Sequence, residues 1–289
     1  MAASSLGSSP RLIRANDVDL CVQTFGDADA PAILLIAGAA SPMDWWDDEL
    51  CERLAPGPRL VIRYDHRDTG QSVSYPAGAP DYDGGDLVAD AVGILDELGI
   101  ERAHLVGISM GGGIAQVVAL DHPDRVASLT LISTSPGGPG LPPMSAELKS
   151  HFDKPPPPPD WSDRRAVIDY IVEDARAFAG SRGLDEQRLR AVAGRIVDRT
   201  RNIEATYTNH WLLGGSGLRP RLGNIAAATL VLHGTDDPLF PYAHAEALAA
   251  EIPGATLMPL AGVGHEMPPP ATWDEVVAAI LDHTRSRDP

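Results

Sequence analysis

Residues 103–120 read AHLVGISMGGGIAQVVAL, and this stretch decides the fold class. Its first part, Ala103–Val106, is a short apolar run typical of a buried strand, and its last part, Gly111–Leu120, has the composition of a helix. Ser109 lies between the two, with a glycine two residues away on each side, where a side chain would crowd a sharp turn. The stretch therefore predicts a strand, a tight turn and a helix, with the serine hydroxyl exposed at the carboxyl end of the strand.

The same alternation of short apolar runs and helical patterns continues on both sides of this stretch. The sequence predicts strands at 12–14, 18–25, 33–36, 60–64, 127–133, 228–233 and 255–260, and helices at 44–54, 86–98, 242–251 and 272–285. Strands separated by helices indicate an α/β fold with a mostly parallel central sheet flanked by helices. Only Val18–Gln23 partly alternates apolar and polar residues, which predicts an antiparallel hairpin at the sheet edge.

The alternation stops between residues 135 and 219. Residues 135–143 are rich in Pro and Gly, and Pro155–Pro159 is a run of five prolines that favours stiff, extended polyproline II. Such a run suits either an SH3-type partner or a strut inside an enzyme lid, and we favour the strut. Helices are predicted at 162–179, 184–198 and 203–213. The predicted division is a flexible arm at 1–10, an α/β core at 11–134 and 220–286, and an inserted helical cap at 135–219.

The composition narrows the classes of function. The chain has 289 residues, of which 44% are hydrophobic and 22% charged, values typical of a globular protein. Its 40 acidic residues outnumber 23 Lys and Arg, and the net charge of −17 repels phosphate backbones and anionic lipids. We therefore expect no nucleic-acid partner and no membrane-surface role, and no apolar run is long enough for a transmembrane helix.

Two further features bear on the cellular setting. The cysteines, Cys21 and Cys51, form neither a disulfide framework nor a zinc pattern, and we expect both to be buried. Met1–Pro10 lacks the apolar segment of a signal peptide. The expected location is the cytoplasm, and the sequence leaves the oligomeric state open.

Gly107-Ile108-Ser109-Met110-Gly111 has the pattern G-x-S-x-G, in which the serine is a candidate nucleophile. A serine hydroxyl reacts poorly at neutral pH, so it needs a base, and the base needs a group that orients it. Among nine histidines we select His265, because Gly262-Val263-Gly264-His265 follows the last predicted strand and so reaches the same sheet edge. We expect structural roles for the others, which are His66, His104, His122, His151, His210, His233, His244 and His283.

The orienting acid is expected between the serine and the histidine in chain order. His233-Gly234-Thr235-Asp236-Asp237-Pro238 leaves a predicted strand at the same edge, and on this ground either Asp236 or Asp237 could serve. A reaction at a carbonyl also needs two backbone N–H groups for the oxyanion. Met110, directly after the serine, offers one, and the small residues of Ala37-Gly38-Ala39-Ala40 allow the close backbone approach that the other requires.

With these residues the chain resembles the α/β-hydrolase family. The resemblance covers nearly all of the predicted core and is weak in the cap. It rests on the elbow Gly107–Gly111, the segment Gly234–Pro241 and the segment Gly262–His265. In the family's acid motif a proline follows the aspartate by four residues, which implies Asp237 as the acid, with Pro241 in register.

The same resemblance implies Ala39 as the second oxyanion donor, beside Met110. The sequence departs here from the family's frequent His-Gly pair, because Ala37 stands in place of the histidine. Support for this loop is therefore either missing or supplied by another part of the chain.

Within the family the chain is most similar to the methylesterase branch of anthracycline tailoring, the aclacinomycin methylesterase type. Three blocks carry this likeness: Val61–Gly70, Ser109–Gly111 and Ala119–His122. Esterases that open macrolide lactones are similar through the same blocks. The likeness implies a serine esterase (a carboxylesterase) that acts on hydrophobic esters, among them polyketide-type methyl esters or macrolactones.

The implied reaction is acyl transfer from an ester to Ser109 and then to water, with His265 as base, Asp237 as orienting acid and no metal or cofactor. The expected partner is a small hydrophobic ester. Candidate pocket residues are Ala40 and four large aromatic side chains, Trp45, Trp46, Tyr207 and Trp211. Three other interpretations stay open: another reaction on the same triad, such as carbon–carbon bond hydrolysis, lactone opening or perhydrolysis; a slow-turnover ligand receptor; and an interaction protein that uses the prolines.

Overall fold

The computed structural model describes residues 7–214 and 217–285. In these ranges one sheet contains the strands β1 (Arg11–Ala15), β2 (Val18–Gly26), β3 (Ala32–Ile36), β4 (Leu60–Tyr64), β5 (Ala103–Ile108), β6 (Val126–Ile132), β7 (Thr229–Gly234) and β8 (Thr256–Leu260). The α-helices are α1 (Asp48–Leu54), α2 (Gly84–Glu97), α3 (Met110–Asp121), α4 (Ala146–Asp153), α5 (Arg164–Phe178), α6 (Glu186–Arg199), α7 (Ile203–Thr208), α8 (Ala243–Glu251) and α9 (Trp273–Arg285).

The strands lie in the order β1-β2-β4-β3-β5-β6-β7-β8. β1 and β2 form the antiparallel edge hairpin that the alternating residues predict, with Ile13 opposite Leu20, and β2 is also antiparallel to β4. From β4 to β8 all neighbours are parallel. Every residue of β3 is buried, as expected for a strand covered on both faces. The predicted α/β fold with a mostly parallel sheet is confirmed.

Helices cover both faces of the sheet. Because successive side chains of a strand point to opposite sides, each strand contributes to the apolar layer on each face. Leu34 and Leu105 contribute to the apolar layer that includes α2, α3 and α8. Ile33 and Val106 contribute to the opposite layer, with α1 and α9. Since β5, β7 and β8 are parallel, their carboxyl ends meet at one edge, and the loops that carry the predicted site residues begin there.

Four of the helices, α4 to α7, lie between β6 and β7, and this insertion has an apolar cluster of its own. Val167 and Ile171 of α5 pack with Ala193 of α6 in that cluster. The sequence pattern does not predict α4, because only Leu148 of its eight residues is buried. Pro155–Pro159, between α4 and α5, has no regular secondary structure.

The predicted helix at 203–213 is divided in two. α7 ends at Thr208, and the chain then tightens into a 3₁₀ turn, Asn209–Leu212, which buries Asn209 and His210. His210 therefore belongs to the 3₁₀ turn and not to a continuation of α7.

The first described residues of the chain, Gly7 and Ser8, are hydrogen-bonded to strand β2 of the sheet. Of the predicted flexible arm at 1–10, residues 1–6 lie outside the described residues. Gly7 pairs with Phe25, and the N–H of Ser8 donates to the carbonyl of Thr24 at 2.7 Å.

Cys21 and Cys51 are free, buried thiols, as the sequence predicts. Across 7–214 and 217–285, no helix combines the length and the hydropathy needed to cross a membrane.

Candidate active site

Ser109 lies on the tight turn between β5 and α3, where the sequence predicts it. Its φ of +52° is a left-handed conformation that non-glycine residues seldom adopt. The glycines make the turn possible: a Cβ on Gly107 would lie 2.3 Å from the carbonyl oxygen of Gly111, and one on Gly111 would lie 2.2 Å from that of Ile36. The turn places Ser109 at the N-terminus of α3, where unpaired N–H groups favour a developing negative charge.

Ser109, His265 and Asp237 come together at the carboxyl edge of the sheet. Oγ of Ser109 lies 2.9 Å from Nε2 of His265, and Nδ1 of His265 lies 2.8 Å from Oδ2 of Asp237. This arrangement allows Nδ1–H to donate to the carboxylate while Nε2 accepts from the serine hydroxyl. Loops that follow β5, β7 and β8 thus supply a continuous hydrogen-bonded relay.

The carboxylate of Asp237 is buried, but it has several donors. Oδ1 accepts the backbone N–H groups of Leu239 and Phe240 at 2.9 and 2.8 Å, and Oδ2 lies 3.3 Å from Nε2 of His233. Burial acts to raise the pKa of Asp237, but the hydrogen bonds from His233 and His265 outweigh it and hold the pKa well below its ordinary value. Asp237 is therefore ionised at neutral pH and faces the imidazole as an anion.

Asp236 has other partners, although chain order alone makes it an equal candidate for the acid. Its Oδ2 accepts the N–H of Ser181 at 3.1 Å, and its Oδ1 accepts the hydroxyl of Thr235 at 2.9 Å. The bond to Ser181 fastens the loop after α5 to the loop after β7. The geometry favours Asp237 as the partner of His265. This is the aspartate that the family motif implies.

The loop Ala37–Ala40 passes directly beside Ser109. A Cβ built on Gly38 would lie 3.4 Å from the Cβ of the serine. In the described part of the chain the N–H of Ala39 has no acceptor, and the N–H of Met110, at the first position of α3, has none within its helix. Both groups are therefore available to an oxygen atom of a ligand.

A cavity of about 470 Å³ lies between the core and the inserted helices and includes Ser109 and His265 in its wall. The predicted pocket residues that line it are Ala40, Trp45, Tyr207 and Trp211. The prediction for Trp46 is wrong: its side chain is 1% exposed and belongs to the core cluster of Phe25 and Leu50. Trp45, at the end of a 3₁₀ turn, packs instead against the apolar cluster of α5 and α6, so the two rings lie on different sides of the chain.

The cavity wall also contains aromatic residues that sequence reasoning did not select. The ring centroids of Phe152 and Phe178 lie 6.0 Å apart, and Phe178 lies 6.0 Å from the ring of His265. Phe152 lies 5.9 Å from Trp211, which is half exposed. An aromatic path thus leads from the surface to the imidazole. Helical spacing places Phe178 on the apolar face of α5, but the sequence does not indicate which element that face meets.

A few ionisable side chains interrupt this wall. Oδ1 of Asp174 lies 2.8 Å from Nε2 of His151, and burial raises the pKa of Asp174. Burial likewise raises the pKa of Glu266, which follows His265 in the chain and accepts the N–H of Gly264 at 3.2 Å. These groups provide fixed polar points in a surface that is otherwise largely apolar.

The ligands of a metal ion are not brought together in the described ranges. No group of three or more His, Cys, Asp or Glu side chains there is arranged to hold one. Several histidines outside the relay are bonded to protein atoms, as for His104 with the hydroxyl of Ser128 and His244 with that of Ser135, both at 2.8 Å.

Comparison with known proteins identifies a family and two similar enzymes. A family model described as alpha/beta hydrolase fold matches residues 31–269. Rhodomycin D methylesterase DauP of Streptomyces sp. strain C5 is 33% identical over 304 residues, which cover 96% of this chain and 98% of that protein. Rhodomycin D methylesterase DnrP of Streptomyces peucetius is 31% identical over 298 residues, with the same coverage of both chains.

Solved structures agree on the fold. The enol-lactonase from Burkholderia xenovorans LB400 superposes with a TM-score of 0.74 at 23% identity, over 95% of this chain and all of that one. At this identity the likeness is one of fold alone.

Proposed function

The chain belongs to the alpha/beta hydrolase fold family and is a hydrolase, and from this premise we propose that it cleaves hydrophobic carboxylic esters through a triad of Ser109, His265 and Asp237. The single observation that carries the proposal is the relay of 2.8 and 2.9 Å hydrogen bonds that ends at Ser109, inside a largely apolar cavity. Such a relay turns a weakly nucleophilic hydroxyl into an attacking group at neutral pH.

In the first half of the proposed reaction, Oγ of Ser109 attacks the ester carbonyl while its proton moves to Nε2 of His265. The ionised Asp237 stabilises the imidazolium through the Nδ1–H bond. The carbonyl oxygen becomes an oxyanion and accepts the N–H groups of Ala39 and Met110. The intermediate then collapses: the bond to the alcohol oxygen breaks, and Nε2–H of His265 protonates that oxygen.

In the second half, a water molecule replaces the alcohol. His265 takes a proton from this water as its oxygen attacks the acyl carbon, and a second oxyanion forms in the same place. Collapse returns the proton to Oγ of Ser109 and releases the carboxylic acid. No step uses a cofactor, because the bond that breaks is polar and needs only proton transfer and charge stabilisation.

The proposed substrates are esters with a large apolar part, among them polyketide-type methyl esters and macrolactones. A cavity of about 470 Å³ lies within the usual range for drug-sized ligands. The aromatic path through Trp211, Phe152 and Phe178 offers ring faces to a planar group. The two methylesterases that are similar over nearly the whole chain support a methyl ester as the first substrate to test.

We further propose that residues 135–219 act as a cap. They include α4 to α7, whose side chains Phe152, Phe178 and Tyr207 face the cavity. A cap of this kind excludes water from the ester and selects the acyl or alcohol group by shape.

The test compares the wild type with Ser109→Ala on p-nitrophenyl acetate, p-nitrophenyl butyrate and the methyl ester of a polycyclic aromatic acid. We expect kcat/KM to fall by about 10⁴-fold or more in Ser109→Ala, since the nucleophile is lost. Ser162→Ala, at an exposed serine before α5, is the matched control and should keep wild-type rates. A fluorophosphonate should add its mass to the wild type and not to Ser109→Ala.

Other outcomes separate the competing functions. Labelling of Ser109 without ester turnover would contradict the esterase proposal and favour carbon–carbon bond hydrolysis or perhydrolysis on the same residues. A persistent acyl adduct with very slow release would favour a ligand receptor. Equal rates in the wild type and Ser109→Ala would remove the triad from the reaction altogether.

A further inference from the structure

The loop that carries Ala39 has one local polar contact, in which the hydroxyl of the adjacent Ser41 donates to the carbonyl of Ala39 at 3.0 Å. Ala37–Ala40 contains only alanine and glycine, and Ala40 has a φ of +54°, a left-handed conformation that is unfavourable for alanine. The histidine that the family often has at position 37 is absent. An oxyanion donor must nevertheless be fixed before the reaction begins, so the loop needs support from another part of the chain.

His210 supports the last residue of this loop. The backbone N–H of Ala40 donates to Nδ1 of His210 at 2.9 Å, and Nε2–H of His210 donates to the carbonyl of Arg67 at 2.9 Å. Because one ring nitrogen accepts and the other donates, the imidazole is neutral and its tautomer is defined. Burial, together with the nearby His66, lowers the pKa of His210 to about 4, in agreement with a neutral ring.

His66 supports the first residue of the loop. Its Nε2–H donates to the carbonyl of Ala37 at 3.0 Å, and its ring is fully buried. The rings of His66 and His210 lie 5.9 Å apart, edge to face. The loop is thus bonded at its first carbonyl and at its last N–H, with Ala39 between the two bonds.

His210 lies in the inserted segment rather than in the core, and its neighbours fix it against the core. Nδ2–H of Asn209 donates to Oδ2 of Asp68 at 2.8 Å, and the hydroxyl of Thr206 donates to the carbonyl of Asp68 at 2.6 Å. Asp68 follows β4 and belongs to the core. The 3₁₀ turn Asn209–Leu212 therefore has a fixed position relative to the sheet, and so does the imidazole that it carries.

We propose that His210 is a positioning residue, through which the inserted segment holds the N–H of Ala39 at the place where the oxyanion forms. This inference rests on the function proposed above and adds a requirement to it. The segment 135–219 not only encloses the substrate; it also completes the part of the site that stabilises the oxyanion.

Two substitutions separate the two hydrogen bonds of the imidazole. In His210→Asn, Oδ1 takes the position of Nδ1 and can accept from Ala40, whereas in His210→Gln the amide reaches the position of Nε2 and donates to Arg67. With p-nitrophenyl butyrate we expect His210→Ala and His210→Gln to lower kcat by about 10–100-fold, with KM within about threefold. His210→Asn should recover most of that loss. Leu212→Ala, at an exposed side chain of the same turn, is the control and should leave kcat unchanged.

A trifluoromethyl ketone provides a measurement that loss of stability alone does not change. It forms a tetrahedral adduct with Ser109 whose oxygen occupies the proposed oxyanion site. Its inhibition constant should rise in proportion to the fall in kcat for the Ala and Gln variants. Hydrogen exchange of the backbone amide of Ala40 should become faster in these two variants than in His210→Asn, because only Asn keeps an acceptor for it.

Four results would overturn the inference. Wild-type kcat in all His210 variants, with Ser109→Ala inactive, would remove the role of His210 and leave the proposed function intact. Equal losses in the Asn and Gln variants would show that the bond to Ala40 is not the one that matters. A fall in kcat without a rise in the inhibition constant would assign His210 to stability alone. Activity of Ser109→Ala at the wild-type rate would remove the proposed function, and this inference with it.

Discussion

Asp236 and Asp237 are identical side chains at consecutive positions, and the fold gives them different environments. Asp237 is buried and faces His265, whereas Asp236 is exposed and binds the N–H of Ser181. Burial separates the two roles, because a carboxylate orients an imidazole strongly only where water does not compete for it.

Exchange of each aspartate for asparagine tests this assignment. Asp237→Asn should lower kcat/KM for p-nitrophenyl butyrate by about 10³–10⁴-fold, since an amide group can favour the wrong tautomer of His265. Asp236→Asn is the matched control, and its kcat/KM should stay within about threefold of the wild type. Near-wild-type activity of Asp237→Asn together with loss in Asp236→Asn would reverse the assignment.

The tryptophans at 45 and 46 illustrate what residue-level reasoning cannot obtain from sequence. The sequence predicts both in the pocket, and only Trp45 lines it, because the ring of Trp46 packs into the core. The positions of Ser109 and His265 could be predicted because each follows a strand of a parallel sheet, so topology alone brings them to one edge. The direction of a side chain in a loop has no such constraint.

At the scale of elements, the loop after α5 packs backbone against backbone on the loop that carries His265. The N–H of His265 donates to the carbonyl of Phe178 at 2.8 Å. A Cβ on Gly180 would lie 2.4 Å from the carbonyl oxygen of Gly262, and one on Gly264 would lie 2.2 Å from that of Phe178. The position of the imidazole therefore depends on where α5 ends.

A single methyl group at this junction should disturb the relay. We expect Gly180→Ala to lower kcat/KM by about tenfold or more and to lower the melting temperature, because the two loops must separate to admit the Cβ. Gly223→Ala is the control, since its added Cβ would meet no atom within 4 Å apart from the backbone beside it in the chain. Unchanged activity in Gly180→Ala would contradict the dependence of the imidazole on the loop after α5.

The inserted helices were the least predictable elements. Their helical spacing is visible in the sequence, but the division of the predicted helix 203–213 at Thr208 is not. Tertiary hydrogen bonds decide that break, among them the bonds of Asn209 to Asp68 and to the N–H of Gly78. The sequence predicts only a structural role for His210, because it falls on a predicted helix. Its partners lie 170 and 143 residues away in the chain, so no local pattern indicates them.

At the scale of the whole molecule, two buried neutral histidines link stability to pH. Burial lowers the pKa of His66 and of His210 from 6.5 to about 4. Between these pH values the unfolded chain binds protons that the folded chain does not, so the free energy of unfolding falls as the pH falls through this window. From pH 7 to pH 5 each histidine should account for about 2 kcal/mol of that fall. The half-buried carboxyl groups of Asp174 and Glu266, whose pKa values are raised, act in the opposite sense.

Denaturant unfolding of His66→Gln at several pH values separates two contributions to the pH dependence of the free energy of unfolding, that of His66 and that of the carboxyl groups. Gln can still donate to the carbonyl of Ala37 but takes up no proton, so the variant should lose less stability than the wild type between pH 7 and pH 5. His122→Gln, at an exposed histidine, is the control, and its free energy of unfolding should change with pH as that of the wild type does. If the free energies of unfolding of the wild type and His66→Gln fell equally between pH 7 and pH 5, the prediction would be contradicted.

The bonds that tie the inserted segment to the core also bear on how such proteins acquire new substrates. Arg199 at the end of α6 pairs with Asp65 at 2.5 Å, and Thr206, Asn209 and His210 reach the same side of the core. A chimera that receives this segment from a relative keeps these bonds, including the one to Ala40, only if the donor has equivalent residues at all four positions. Recombination is therefore a poor route to a new specificity here, and point substitutions in the cavity wall are the route that keeps the catalytic machinery intact.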